Sequence, residues 1–198
     1  MPSPTKLAHV VLWSRKIEEM RDWYITVLDA HVVFENAAGA FLTYDDEHHR
    51  IAVANPVAAA ALAAEKAGSS EGLVASGFGK DEEPPALEGP PFRGLAHIAF
   101  TFSDLEDLLK QYSHLKEQSI TPVFSINHGT TTSMYYADPD GNQIELQIDN
   151  FETAQEGTEF MMSESFERNP VGLLVDPEML IKRLEAGEDA AELIRPTW

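Results

Sequence analysis

Cysteine is absent from the 198 residues, which removes disulfides, thiolate metal sites and a cysteine nucleophile, and leaves any metal to His, Asp and Glu. Positive charge is scarce as well. The 14 Lys+Arg stand against 33 Asp+Glu, a formal net charge of −19 at pH 7, and a field of that sign repels phosphate backbones and anionic membrane faces. Nucleic acid and membrane surfaces are therefore not expected as partners. Long apolar runs are missing: the small-apolar run Val57 to Ala64 is far below the ~20 residues that a membrane helix needs. The opening MPSPTK has no apolar signal core. A soluble, cytoplasmic protein is the expectation. The residues present, 43% hydrophobic and 24% charged, have the balance of a globular chain long enough to bury a core.

The sequence repeats. Leu7-Ala8-His9 recurs as Leu95-Ala96-His97, and the residues after each copy also match. VVLW after the first is succeeded by apolar residues at Ile17, Met20, Tyr24, Val27 and Leu28, which is helical spacing with Ser14 as the predicted N-cap. IAFTF after the second is succeeded by Ser103-Asp104-Leu105-Glu106, a predicted capping box ahead of Leu105, Leu108, Leu109, Tyr112 and Leu115 on one face. Strands are predicted at His31 to Phe34 and Thr121 to Phe124, then at Phe41 to Tyr44 and Met134 to Tyr136, and finally at Arg50 to Val53 and Gln143 to Leu146. Each half reads as βαβββ. The fold class is α+β: two βαβββ modules, 5–55 and 94–150, forming one domain over 5–150. Residues 56–93 between them hold an Ala-rich stretch predicted as a short helix and a Gly-, Pro- and acid-rich linker or cover. Residues 151–198 form an acidic helical extension in which Asp176-Pro177 supplies an N-cap and N1 pair. That extension is expected to serve packing or dimerisation.

Side chains alternate along a strand, so parity sorts what each half presents. In LAHIAFTF, Ile98, Phe100 and Phe102 share one face and His97, Ala99 and Thr101 the other. In NQIELQI, Ile144, Leu146 and Ile148 separate from Gln143, Glu145 and Gln147. His97 and Glu145 are thus both predicted on the polar face. His9 holds the place in its half that His97 holds in the second, so a pseudo-twofold between the halves would gather two imidazoles and one carboxylate. Singly, each of these residues is more often structural; together they form a metal-binding set.

The paired βαβββ modules, the two LAH strands and the stretch DPDGNQIEL (Asp138 to Leu146) resemble the vicinal oxygen chelate superfamily, which includes glyoxalase I, bleomycin-resistance proteins and type I extradiol ring-cleaving dioxygenases. The resemblance covers roughly residues 5–150 and implies a half-open barrel with His9, His97 and Glu145 as metal ligands. Glyoxalase-like members draw a further ligand from the closing strand of the first module, where Ala52 stands opposite Glu145 in the alignment of RIAV with QIEL. Alanine cannot bind a metal. Two His and one carboxylate with open positions suit a non-haem Fe(II) oxygenase. The resemblance further implies His49, in HHRIAV, as an acid-base residue with His48 pointing away. His128, in Asn127-His128-Gly129, and Tyr135 are implied as hydrogen-bond donors to substrate. The interval from His128 to Tyr135 is shorter here than is usual in that family. Against these stand a solvated His pair in an acidic turn, and Tyr136 as the inward tyrosine. His31 and His114 have no supporting context and read as surface residues.

The expected function is an Fe(II)-dependent extradiol dioxygenase that takes a small aromatic diol and O₂, in a homodimer. A glyoxalase-like isomerase or lyase using Zn, Ni or Mn is the first alternative, and a metal-free protein that sequesters a cationic drug is the second.

Overall fold

The computed structural model describes residues 7–55, 57–58 and 95–198. The expected cover between the modules lies outside them, as does the Ala-rich helix beyond a first helical pair at Val57 and Ala58, whose N–H groups both donate to Asn55 Oδ1 at 3.1 Å. By its contacts the chain divides into two units, residues 1–94 and 95–198.

In the first unit β1 (Val10–Trp13) leads to α1 (Ile17–Leu28), then to β2 (His31–Asn36), β3 (Gly39–Thr43) and β4 (Ile51–Ala54), giving a four-stranded sheet in the order β1-β4-β3-β2. The helix forms because Met20, Tyr24 and Val27 recur on one face, and all three are fully buried. Each such side chain stabilises the unit by about 1.5–3 kcal/mol through apolar burial. Asp29, at φ 51°, ends the helix in the left-handed conformation that Asp tolerates. Ser14 is not the N-cap: Lys16 holds that place, and Ser14 Oγ accepts from Lys16 N–H at 2.8 Å, a turn one step ahead of the helix. First and last strands pair in parallel, Val10 with Ile51 and Val11 with Ala52.

The second unit repeats the scheme with β5 (His97–Thr101), α2 (Leu105–Glu117), β6 (Phe124–Asn127), β7 (Thr131–Ala137) and β8 (Gln143–Asp149). Asp104 caps α2, accepting from Asp107 N–H at 2.8 Å, so the predicted capping box at Ser103 is displaced by one residue. Leu105, Leu108, Leu109, Tyr112 and Leu115 are buried along the helix, and α2 packs on β8. β6 starts where the predicted strand ends, because Pro122 has no N–H to give a ladder. The sheet runs β5-β8-β7-β6-β9.

Its last strand, β9 (Leu173–Leu174), comes from the extension and was not foreseen. The extension is otherwise helical, as expected: α3 (Ala154–Met161), α4 (Glu164–Arg168), α5 (Pro177–Glu185) and α6 (Ala190–Ile194). Asp176 caps α5, with Pro177 in its first turn. This helix packs on α2, where Glu178 accepts from Tyr112 Oη at 2.8 Å and pairs with Lys116. Leu180, only 6% exposed, is thereby turned into its own unit, whereas Met179 stays on the surface. Asn127 Nδ2 donates to the carbonyl of Ile194 at 2.7 Å, tying α6 to β6.

Candidate metal centre and catalytic side chains

The register of the second sheet places one row of side chains across four strands, in which Ala99 pairs with Glu145, Glu145 with Tyr135 and Tyr135 with Phe124. His97 lies two residues before Ala99 and so shares its face. The opposite face holds Ile144, Leu146, Met134 and Tyr136, all buried. Tyr135, not Tyr136, is therefore the tyrosine beside Glu145.

Glu145 is 4% exposed, and a carboxylate so placed needs a partner. His97 Nε2 stands 3.0 Å from its Oε2. That is hydrogen-bond distance, and it brings together an imidazole nitrogen and a carboxylate oxygen that could both turn to one cation. An imidazole nitrogen and a hard carboxylate oxygen are also the donor types that suit Fe(II). Among the described residues no group of three or more His, Asp or Glu is gathered for metal binding. The second unit supplies this dyad.

Tyr135 packs its ring edge-on to His97, with centroids 5.4 Å apart, and stacks on Phe124 at 4.4 Å. Burial raises its phenol pKa above the ordinary value, and the neighbouring Glu145 charge and hydrogen bond push the same way. The hydroxyl therefore keeps its proton and remains a donor. His128 lies half-buried at the end of β6, with Nε2 3.1 Å from Tyr135 Oη and Nδ1 2.6 Å from the carbonyl oxygen of Val171.

The first unit gathers three imidazoles. His9 and His49 stack with ring centroids 4.3 Å apart, His48 stands 4.5 Å from His49, and the His48 and His49 Nδ1 atoms share a 2.6 Å hydrogen bond. His49 also meets the edge of Phe41 at 5.1 Å. Its side chain is half-buried, while 69% of the His48 side chain is exposed. His48 nevertheless touches its neighbour and does not simply point away. Burial lowers the His49 pKa below the usual imidazole value, the charges of His9 and His48 add to this, and Glu47 opposes it. His49 is consequently neutral at pH 7 and able to accept a proton.

Two contributors were not foreseen from the sequence. Arg50 Nη1 donates to the carbonyls of Leu7 and Ala8 at 2.7 and 3.0 Å, and Arg50 is itself held by Asp45 at 2.9 Å. This fixes the segment that delivers His9. A charged residue immediately after HH was the available signal. The Val171 carbonyl, being backbone, left none. His31 and His114 are exposed, His31 at the start of β2 and His114 on α2.

Residues 6–146 match the Glyoxalase/Bleomycin resistance protein/Dioxygenase superfamily. Two curated proteins of Rhodococcus globerulus are similar along almost the whole length. Biphenyl-2,3-diol 1,2-dioxygenase 2 is 42% identical over 200 residues, spanning 100% of this chain and 91% of that protein. Biphenyl-2,3-diol 1,2-dioxygenase 3 is 42% identical over 193 residues, spanning 98% and 89%. Among solved structures, lactoylglutathione lyase from Agrobacterium tumefaciens superposes with a TM-score of 0.51 at 13% identity, covering 74% of this chain and 96% of that one. That likeness concerns the fold alone.

Proposed function

The chain belongs to the Glyoxalase/Bleomycin resistance protein/Dioxygenase superfamily, and from that premise we propose that it is an extradiol dioxygenase that opens catechol-type aromatic rings with O₂ and uses Fe(II). It is a ring-cleaving oxidoreductase in the manner of the two Rhodococcus enzymes that share 42% of its residues. The observation that carries the metal assignment is the buried Glu145 with His97 at 3.0 Å. These two residues would hold the iron, with His9 as the third ligand on the strength of the sequence repeat. Iron there would supply adjacent positions for the diol and O₂ and the one-electron chemistry that joins them.

The remaining steps belong to the protein. Neutral His49 takes a proton from a diol hydroxyl and later returns one to an oxygen of the opening ring. Tyr135, held protonated, turns its single hydrogen from His128 Nε2 in the resting protein to the oxygen that becomes carbonyl when substrate is bound. Phe124, stacked on Tyr135 and 37% exposed, continues the face beyond it and offers apolar surface to the rest of the substrate. Because both curated relatives are named for biphenyl-2,3-diol, bicyclic diols are the first substrates to try. Retention of both oxygen atoms defines the reaction: one O–O bond and one ring C–C bond break, and the product equals diol plus O₂.

The isomerase reading requires a carboxylate or similar ligand from the first unit, and Ala52 stands in that place. Protein loaded anaerobically with Fe(II) should consume one O₂ per diol and yield a product carrying two ¹⁸O atoms from ¹⁸O₂. Full activity with Zn or Ni and no O₂ uptake would end the dioxygenase reading. Association as a homodimer is expected through the exposed face of the extension, and a monomer by light scattering would contradict it.

A further inference from the structure

His128 sits at the end of β6, and the group that holds its ring lies outside the region matched to the family. Its Nδ1 is 2.6 Å from the carbonyl oxygen of Val171, which is 25 residues past the end of the 6–146 match (171 − 146 = 25). A carbonyl has no proton to give, so Nδ1 carries the hydrogen and Nε2 of the neutral ring is left with the lone pair. That Nε2 faces Tyr135 Oη at 3.1 Å.

The carbonyl cannot drift far. The Asn169 side chain accepts from Gly172 N–H and donates to Gly172 C=O, each at 3.0 Å, closing a tight turn over residues 169–172. Gly172 has φ +101°, and a Cβ there would stand 2.0 Å from the Asn127 carbonyl oxygen and 2.8 Å from Cα of His128. Only glycine lets the turn approach the His128 backbone so closely. The next residues bind the same strand: Leu173 pairs with Asn127, Leu174 with Ile126, and Val175 N–H donates to the Ser125 carbonyl at 3.1 Å.

We propose that the 169–172 turn of the C-terminal extension is a tautomer lock for His128. The Val171 carbonyl fixes the proton on Nδ1 and the plane of the ring, so that Nε2 always meets Tyr135 as an acceptor while the ring is neutral. Asn169 and Gly172 are positioning residues, since they act only through the Val171 carbonyl. The consequence for turnover rests on the dioxygenase reading, whereas the lock itself is a property of the resting protein.

The experiment uses the full chain labelled with ¹⁵N-histidine, with long-range ¹⁵N–¹H spectra recorded above the imidazole pKa and His128 assigned by its loss in His128→Gln. The wild type is expected to show neutral His128 with the hydrogen on Nδ1. In Asn169→Ala the Nε2–H form should rise, with kcat about tenfold lower and KM unchanged, the size of effect seen when a group orienting a site residue is lost. On the residual turnover of His128→Gln, the same substitution should cost less than about twofold, because the two act as one unit. An Nε2–H tautomer in the wild type overturns the lock, as does an equal loss from Asn169→Ala in both backgrounds. If Asn169→Ala does not fold, the wild-type spectrum decides. Failure of the dioxygenase reading is separate: it appears as no wild-type turnover, with the spectrum still judging the lock.

Discussion

The two βαβββ units share a register and differ in the side chains they place on it. In the first, Val11 pairs with Ala52, Ala52 with Phe41 and Phe41 with Phe34. In the second, Ala99, Glu145, Tyr135 and Phe124 occupy the same four positions. One row therefore reads Val-Ala-Phe-Phe and the other Ala-Glu-Tyr-Phe. The backbone is a frame used twice; two oxygen-bearing side chains, Glu145 and Tyr135, give one copy the polar surface on which the proposed metal ligand and proton donor stand. The first copy keeps its histidines at the sheet margin, where His9, His48 and His49 touch, and these suit proton transfer.

The sharpest way to erase the difference is Glu145→Ala, which gives the second row the alanine of the first. Bound iron should fall from about one per chain to near none and turnover to background, since the proposed ligand set of His9, His97 and Glu145 loses its carboxylate; elemental analysis and O₂ uptake check this, with circular dichroism confirming that the fold survives. Tyr135→Phe makes the next position match Phe41 while keeping the ring stack. Loss of one donor aimed at developing charge should lower kcat by about 10²–10³-fold with iron retained. His49→Ala tests the first unit, with an expected loss of about 10²-fold in turnover, iron again retained. His48→Ala should do little, and equal small effects from both would mean a solvated pair.

The smallest effect concerns the extension, which has no counterpart among the described residues of the first unit. Lys116 and then Tyr112 hold the Glu178 carboxyl below the usual carboxylate range. Its contribution to stability is therefore present above the ordinary carboxyl pKa and lost as pH falls through the lowered value. Glu178→Gln should reduce the melting temperature slightly at pH 7, and the difference should vanish in acid. A difference that persists at low pH would assign the effect to packing.

Where function depends on strand parity, the sequence was legible: His97 and Glu145 fall on one face and Tyr136 on the other because alternation is a backbone property. The Ala52 alignment likewise matches the observed register, in which Ala52 pairs two residues after His9 as Glu145 pairs two residues after His97. Helix starts were readable only to within a residue or two, because Ser14, Ser103 and Asp104 all offer oxygens and the geometry of the incoming chain selects among candidate caps. Leu173-Leu174 is too short to show a period, and its pairing depends on Gly172 lying against Asn127. The Val171 carbonyl is hidden for a deeper reason, since a backbone acceptor has no letter of its own.

The two-residue β9 also bears on how the protein avoids itself. Without it, the outer edge of β6 would offer unpaired N–H and C=O groups beside Val123 and Phe124, which are 63% and 37% exposed, a template for another chain to add a strand and begin aggregating. β9 occupies that edge but is too brief to recruit a successor, being bounded by the Asn169 to Gly172 turn on one side and by Asp176-Pro177 on the other, where proline cannot extend a ladder. The extension thus doubles as an edge guard, and a truncation before residue 169 should reveal itself first as precipitation.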